Sequence, residues 1–329
     1  MIREELEQRE IQWFSAFATK SCESQGRVKP EEPCDFRTEF QRDRDRIIHS
    51  KSFRRLKYKT QVFLPARGDH FRTRLTHTLE VSQIARTIAR GLFLNEDLTE
   101  AISLGHDLGH TPFGHAGERI LNIILQPDLH FAHHEQSLRL VDILEKDGKG
   151  LNLTYEVRDG ILNHTSKGKP QTLEGQIVSL ADRIAYVNHD IDDALGSGIL
   201  KAADLPHDYD DFLGITHGSR INAMIADVIK ESQGKNFVKM STLGFAALNC
   251  LRDYLFENLY TLPTVEVEEE KGAHILESLF HHYMAHPQEL PTYANDENLL
   301  IHTKDYIAGM TDKYAVDRFT EIYIPQGFK

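Results

Sequence analysis

The chain has 329 residues, a formal charge of −12 and a hydrophobic content of 40%. That is long enough to bury a core around a polar pocket and too apolar for a disordered chain. The acidic balance excludes a protein that coats nucleic acid along its whole surface. No apolar run approaches the roughly 18 residues of a membrane span. The N-terminus, with Glu4, Glu5 and Glu7, is unlike a basic targeting peptide. These features predict a cytoplasmic protein with no membrane partner. Cys22, Cys34 and Cys250 are odd in number and lack CxxC spacing, so neither a disulfide framework nor a structural zinc site is expected.

In chain order, residues 1–35 read as an N-terminal helical arm. Between Arg37 and Arg74 stand twelve Lys/Arg against four acids (Glu39, Asp43, Asp45, Asp69), a local excess of +8. Such a segment suits an anionic partner, such as a regulatory nucleotide or single-stranded nucleic acid; a solvated helix face balanced by acids from elsewhere explains it equally well. From His77 onward, Val81, Ile84, Ala85, Ile88 and Leu92 recur at spacings of three and four, which predicts an amphipathic helix. Asp97 to Glu100 reads as a capping box opening a second helix that runs to about Gly105. Further helices are expected over 135–144, 156–162, 177–195, 220–231 and 243–259. Glu266 to Glu270, after Pro263, reads as a loop, with a smaller helical segment beyond it. The expected fold class is all-α, with one main domain over 36–262 and an appendage of the same body over 263–329.

Eighteen histidines, several beside carboxylates, raise the question of a metal site built from imidazole and carboxylate ligands. Of three His-Asp pairs, only His106-Asp107 ends an apolar helix, in LGHDLGHTPFGHAGE, where glycines and Pro112 let side chains converge. His110 stands four residues after His106, but Gly109 and Pro112 interrupt the helix that would align the two, so it is not expected to be a ligand. On the helix over 177–195, Asp182, Tyr186 and Asp190 fall four apart on one stripe, opposite Ile177, Leu180, Ile184, Val187 and Ile191. His115 and Glu118, three apart, share a face of any short helix, so the carboxylate can orient the imidazole.

This arrangement resembles the HD superfamily, whose pattern is a lone His, an HD pair and a distant Asp. The matching positions are His77 in RLTHTLE, His106 and Asp107 in GHDLGH, and Asp182 in SLADRIAY. The resemblance implies one divalent cation per site (Mn²⁺, Mg²⁺, Fe²⁺ or similar) held by these four. The flanks DRDRIIHSKSFRRLKYKTQVF, HDLGHTPFGHAGE and LNHTSKGKPQTLEGQIVSLADRIAYVNHDIDD are similar to deoxyguanosinetriphosphate triphosphohydrolase-like (dGTPase-like) enzymes over roughly residues 36 to 200, and more thinly beyond.

That resemblance implies an HD helical phosphohydrolase fold and hydrolysis of a dNTP at the α-phosphorus, giving a deoxynucleoside and inorganic triphosphate. It also implies a homo-oligomer, often hexameric. His115, oriented by Glu118, is the implied general acid, or else the pair activates water. Arg74, one turn before His77, matches an arginine that grips the triphosphate. His134 matches a phosphate-contacting histidine, with His133 the alternative by one residue. Gln61 matches a sugar contact, Tyr186 a ring packed on the sugar and Asp190 the partner of the 3′-hydroxyl. Arg252 and Tyr254 are candidates for the base or sugar edge, although an ordinary amphipathic helix explains them equally well. The competing readings are another HD nucleotide phosphohydrolase (a 5′-nucleotidase or phosphodiesterase) and a non-catalytic nucleotide sensor or single-stranded nucleic-acid binder.

Overall fold

A computed structural model of the chain describes residues 2–61, 72–291 and 298–325. Among these residues every regular element is helical, and the β-bridges Arg27 to Thr154 and Thr60 to Thr73 are isolated. The all-α expectation therefore holds, and no helix among the described residues is long and apolar enough to cross a membrane. The main helices in chain order are α1 (Ile2–Trp13), α2 (Glu39–Ile48), α3 (Arg74–Gly91), α4 (Glu96–Gly105), α5 (Gly114–Leu125) and α6 (His133–Arg139). They continue with α7 (Tyr155–Asn163), α8 (Leu173–Gly196), α9 (His217–Ser232), α10 (Thr242–Asn258), α11 (Pro263–Ala285), α12 (Leu299–Ala308) and α13 (Asp312–Tyr323).

Three local expectations are corrected. Asn95, not Asp97, caps α4: its side chain accepts from the backbone N–H of Asp97 at 3.1 Å and of Leu98 at 3.2 Å, a cap worth about 1 kcal/mol. Residues 266–270 are not a loop but lie in the first two turns of α11, because Pro263 sits at the start of that helix, where its missing N–H costs nothing, and Glu266 in the first turn suits a helix N-terminus. The helix expected over 135–144 turns from α to π geometry at Leu140.

The described chain forms two compact units that interleave along the sequence. One comprises 1–49, 77–106 and 152–261; the other comprises 50–76, 107–151 and 262–329. In the first, α2 packs on α4, and α4 and α7 both pack on α8. Ile47, Leu98, Ile102, Ile161, Ile177 and Ile184 are fully buried there, each contributing about 1.5–3 kcal/mol. The contact between α4 and α7 is unusually close. A Cβ on Gly105 would lie 2.6 Å from Ile161 Cδ1, and one on Gly160 2.5 Å from Ile102 Cδ1. Buried Asp43 fastens the entry to α7 by accepting from Thr154 N at 2.8 Å and Thr154 Oγ1 at 2.7 Å while pairing with Arg27. Much of the basic excess is neutralised here: Arg37 pairs with Asp45, Arg42 with Glu31 and Glu39, Arg44 with Asp97, and Arg46 with Glu31. This is the solvated-face reading for residues 37–46. Residues 62–71 of the same segment lie outside the described residues.

In the second unit, Phe113, Leu121, Leu125, Leu276, Leu279, Phe280, Tyr283 and Ile307 form the core, with α11 against α5, α12 and α13. Polar ties also cross this unit. Asp312 accepts from Thr60 N at 2.9 Å and from Phe113 N at 3.1 Å. Buried Lys59 donates to the carbonyls of Ala308 (2.9 Å) and His110. Burial, aided by the Arg55 charge, pushes the Lys59 pKa down to about 7.

Candidate active site

In the first unit, three of the expected ligands come together, two histidines beside Asp182. His77 lies one turn into α3, His106 caps the C-terminus of α4, and Asp182 stands midway along α8. His77 Nε2 is 3.1 Å and His106 Nε2 3.8 Å from Asp182 Oδ1. The Nδ1 of His106 lies 2.6 Å from the Ser103 carbonyl, which can only accept. Nδ1 therefore carries the proton, and Nε2 presents a lone pair towards the carboxylate. His77 has a longer support: its Nδ1 lies 3.5 Å from His189 Nδ1, and His189 Nε2 lies 3.3 Å from Glu80 Oε2. With Glu80 accepting from His189 Nε2–H, the His189 Nδ1 lone pair accepts from His77 Nδ1–H, so that His77 Nε2 turns its lone pair towards Asp182.

Ligand atoms of His106, His164 and Asp182 all lie within 4.8 Å of one another. Two or three imidazoles and a carboxylate, buried or half-buried, fit a borderline divalent ion better than a thiolate-seeking one. His77, His106 and Asp182 would hold such a cation from this unit.

Further along α8, Tyr186 is half-buried, and burial followed by the Asp182 charge pushes its phenol up to about 12. Asp190 is buried and accepts a short hydrogen bond from the Tyr260 hydroxyl. Arg252 pairs with its neighbour Asp253 at 2.7 Å, and its charge is also felt at Tyr186; Tyr254 is half-buried on the same helix.

Asp107, the chain neighbour of His106, opens the second unit's segment. Arg74 donates to its Oδ2 at 2.8 Å, and both side chains are buried. Arg74 also donates to the Gln61 carbonyl at 3.4 Å, so buried Gln61 is engaged through its backbone. His110 Nε2 is 3.2 Å from Asp107 Oδ1, and its ring stacks on His133, with centroids 4.0 Å apart. Gly109 permits this fold of the chain, since a Cβ there would fall 2.2 Å from the Ser137 backbone nitrogen.

Glu118 is bound to His133: its carboxylate accepts from His133 N at 3.0 Å and lies 3.1 Å from His133 Nδ1. Desolvation opposes ionisation of both groups, but the bond and mutual charge outweigh it, lowering the Glu118 pKa and raising that of His133. His115, on the first turn of α5, is solvent-accessible yet ringed by protein; desolvation and then the Arg74 charge lower its pKa. The hydrogen bonds of Glu118 go to His133, while its influence on His115 is through charge. His133 groups with Asp107 and His110, whereas half-buried His134 packs edge-on against His133, and its pKa is lowered by desolvation and the His133 charge.

His189, Glu80, His164, His133 and Tyr260 are the residues that sequence reasoning missed or left ambiguous. A signal existed for His189, four residues before Asp193 and immediately before Asp190 on the ligand helix, but with so many histidines the pair had no distinguishing context.

A buried His/Asp cluster on an all-helical frame defines an HD-domain phosphohydrolase. An HD-domain family model matches residues 74–187, and a phosphohydrolase-associated domain model matches 238–321. The chain belongs to the deoxyguanosinetriphosphate triphosphohydrolase-like family. A protein of that name from Caldanaerobacter subterraneus subsp. tengcongensis is 56% identical over 328 residues, covering 98% of this chain and 96% of the relative. Those from Desulfatibacillum aliphaticivorans (48% identical, covering 98% of each chain) and Clostridium perfringens strain SM101 (49% identical, covering 99% and 98%) are similar throughout.

Proposed function

We propose that the protein hydrolyses a deoxynucleoside triphosphate to a deoxynucleoside and intact inorganic triphosphate, using one divalent cation held by His77, His106, Asp107 and Asp182. The observation that carries this reading is the approach of His77 and His106 to one oxygen of Asp182, on a helix that also carries Tyr186 and Asp190. When bound, the cation supplies Lewis-acid stabilisation of charge on the phosphoryl oxygens.

The chain's own residues do the rest. Tyr186 packs beneath the deoxyribose and leaves no room for a 2′-hydroxyl. Asp190, oriented by Tyr260, accepts from the 3′-hydroxyl. Arg74 holds Asp107 in a ligating orientation and presents its remaining guanidinium edge to phosphate. Water forms a bond to the α-phosphorus as the bond from phosphorus to the 5′-oxygen breaks. One proton must leave the water and one must reach the 5′-oxygen. His115 and the Glu118-oriented His133 are the groups that move these protons, with His134 beside them.

The reading is tested by incubating the protein with Mn²⁺ and each dNTP, NTP and cyclic nucleotide in ¹⁸O-water and separating the products. Triphosphate carrying the label, with unlabelled deoxynucleoside, is expected. Release of pyrophosphate or of orthophosphate, or label in the nucleoside, would refute attack at the α-phosphorus.

A further inference from the structure

His164 has no part in the ligand set proposed above, yet its position in the first unit matches that of His106 closely. Each caps the C-terminus of its helix, α4 for His106 and α7 for His164. Each lays Nδ1 against the carbonyl three residues earlier, Ser103 at 2.6 Å and Ile161 at 2.8 Å. A carbonyl only accepts, so in both rings Nδ1 bears the proton and Nε2 is the nitrogen with a lone pair to offer. The two rings meet edge to face with centroids 5.0 Å apart. His164 is 2% exposed.

The backbone has been brought together to make this possible. Gly105 and Gly160 let α4 and α7 touch through Ile161 and Ile102 with no room for a Cβ, which sets the two C-terminal ends side by side. Helix C-termini carry partial negative charge and favour a cation between them. The potential ligand atoms of His106, His164 and Asp182 lie within 4.8 Å of one another, a spacing that a single ion can close with small side-chain movements.

We propose that His164 is a further protein ligand of the cation, supplying a third imidazole beside His77 and His106. This rests on the cation site of the proposed function and extends it. Three imidazoles and two carboxylates leave a six-coordinate ion one open position, which a phosphoryl oxygen would occupy, so proton transfer falls to the chain's own side chains. Such a nitrogen-rich set favours Mn²⁺, Fe²⁺ or Co²⁺ over Mg²⁺.

The test is to load the metal-free protein with Mn²⁺ and count the imidazole nitrogens coupled to the ion by electron spin-echo spectroscopy, with metal content measured in parallel. One Mn²⁺ per chain with three imidazoles is expected for the wild type, falling to two in His164→Gln with at least about a tenfold loss of Mn²⁺ affinity. One Mn²⁺ with two imidazoles in the wild type overturns the role of His164 and leaves the four-ligand reading standing. Two Mn²⁺ per chain, with His164 on the second, overturns the single-ion form. Absence of any tight Mn²⁺ overturns the underlying site itself. The count on the wild type decides the matter even where the variant fails to fold.

Discussion

Arg74 and Asp107 form a buried ion pair at 2.8 Å inside the second unit, the guanidinium 2% and the carboxylate 5% exposed. Removing one partner of such a pair leaves an uncompensated buried charge, at a cost of about 3–5 kcal/mol. Arg74→Met is therefore expected to lower the urea-unfolding free energy of the metal-free protein by roughly that amount. Because a cation at Asp107 would replace the lost positive charge, Mn²⁺ should raise the melting temperature of the variant more than that of the wild type. Equal shifts would separate Asp107 from the cation.

The support behind His77 is expected to act on metal affinity. Glu80→Ala removes the carboxylate 3.3 Å from His189 and with it the preference for the tautomer that His77 needs. Outer partners of metal-bound histidines are worth about 10–100-fold in affinity. A Mn²⁺ dissociation constant unchanged by Glu80→Ala would dismiss the relay.

Proton-moving residues should separate from ligands in the same assay. His115→Ala is expected to bind Mn²⁺ as the wild type does and to lose turnover by about two to four orders of magnitude. Asp107→Ala should lose both. Near-normal activity in the His115 variant would remove that residue from the chemistry.

Lys59 should make stability depend on pH in an unusual direction. Its folded pKa, held down to about 7 by burial and the Arg55 charge, lies below its ordinary value of 10.5, so between those limits the unfolded chain binds more protons than the folded one. Stability gained from this residue therefore grows as pH rises from about 7 towards 10.5 and is absent below that window. Lys59→Met is expected to flatten the slope by up to a few kcal/mol over the window, read from urea unfolding at several pH values. An unaltered slope would mean that the amine keeps its ordinary pKa.

Close approach of α4 and α7 predicts a packing defect with a functional readout. Gly160→Ala places a methyl 2.5 Å from Ile102 Cδ1, an overpacking worth about 1–3 kcal/mol. It should also weaken Mn²⁺ binding, because it pushes His164 away from His106. A destabilised variant with unaltered affinity would show that the helix contact does not set the ligand geometry.

Periodicity made the helical frame readable from the chain, and the resemblance of three motifs to the HD pattern singled out His77, His106 and Asp182, which lie close together in the first unit. What stayed hidden was lateral. His164 and His189 reach the cluster through helix packing set by glycines and buried isoleucines, which linear spacing does not encode. Glu118 lies three residues from His115 in sequence, yet its hydrogen bonds go to His133, fifteen residues on, because α6 begins beside α5 in space. The acidic run at 266–270 misled because charge density marks a loop only when no proline at a helix start precedes it.

The two oxygens of Asp312 hold Thr60 and Phe113 at once, and Lys59 bolts the neighbouring carbonyls of His110 and Ala308. Residues past 300 are thus the keystone of the turn that carries His110 and His115, about two hundred places earlier in the chain. A chain shortened ahead of that keystone would retain most of its histidines and lose the arch that aims them.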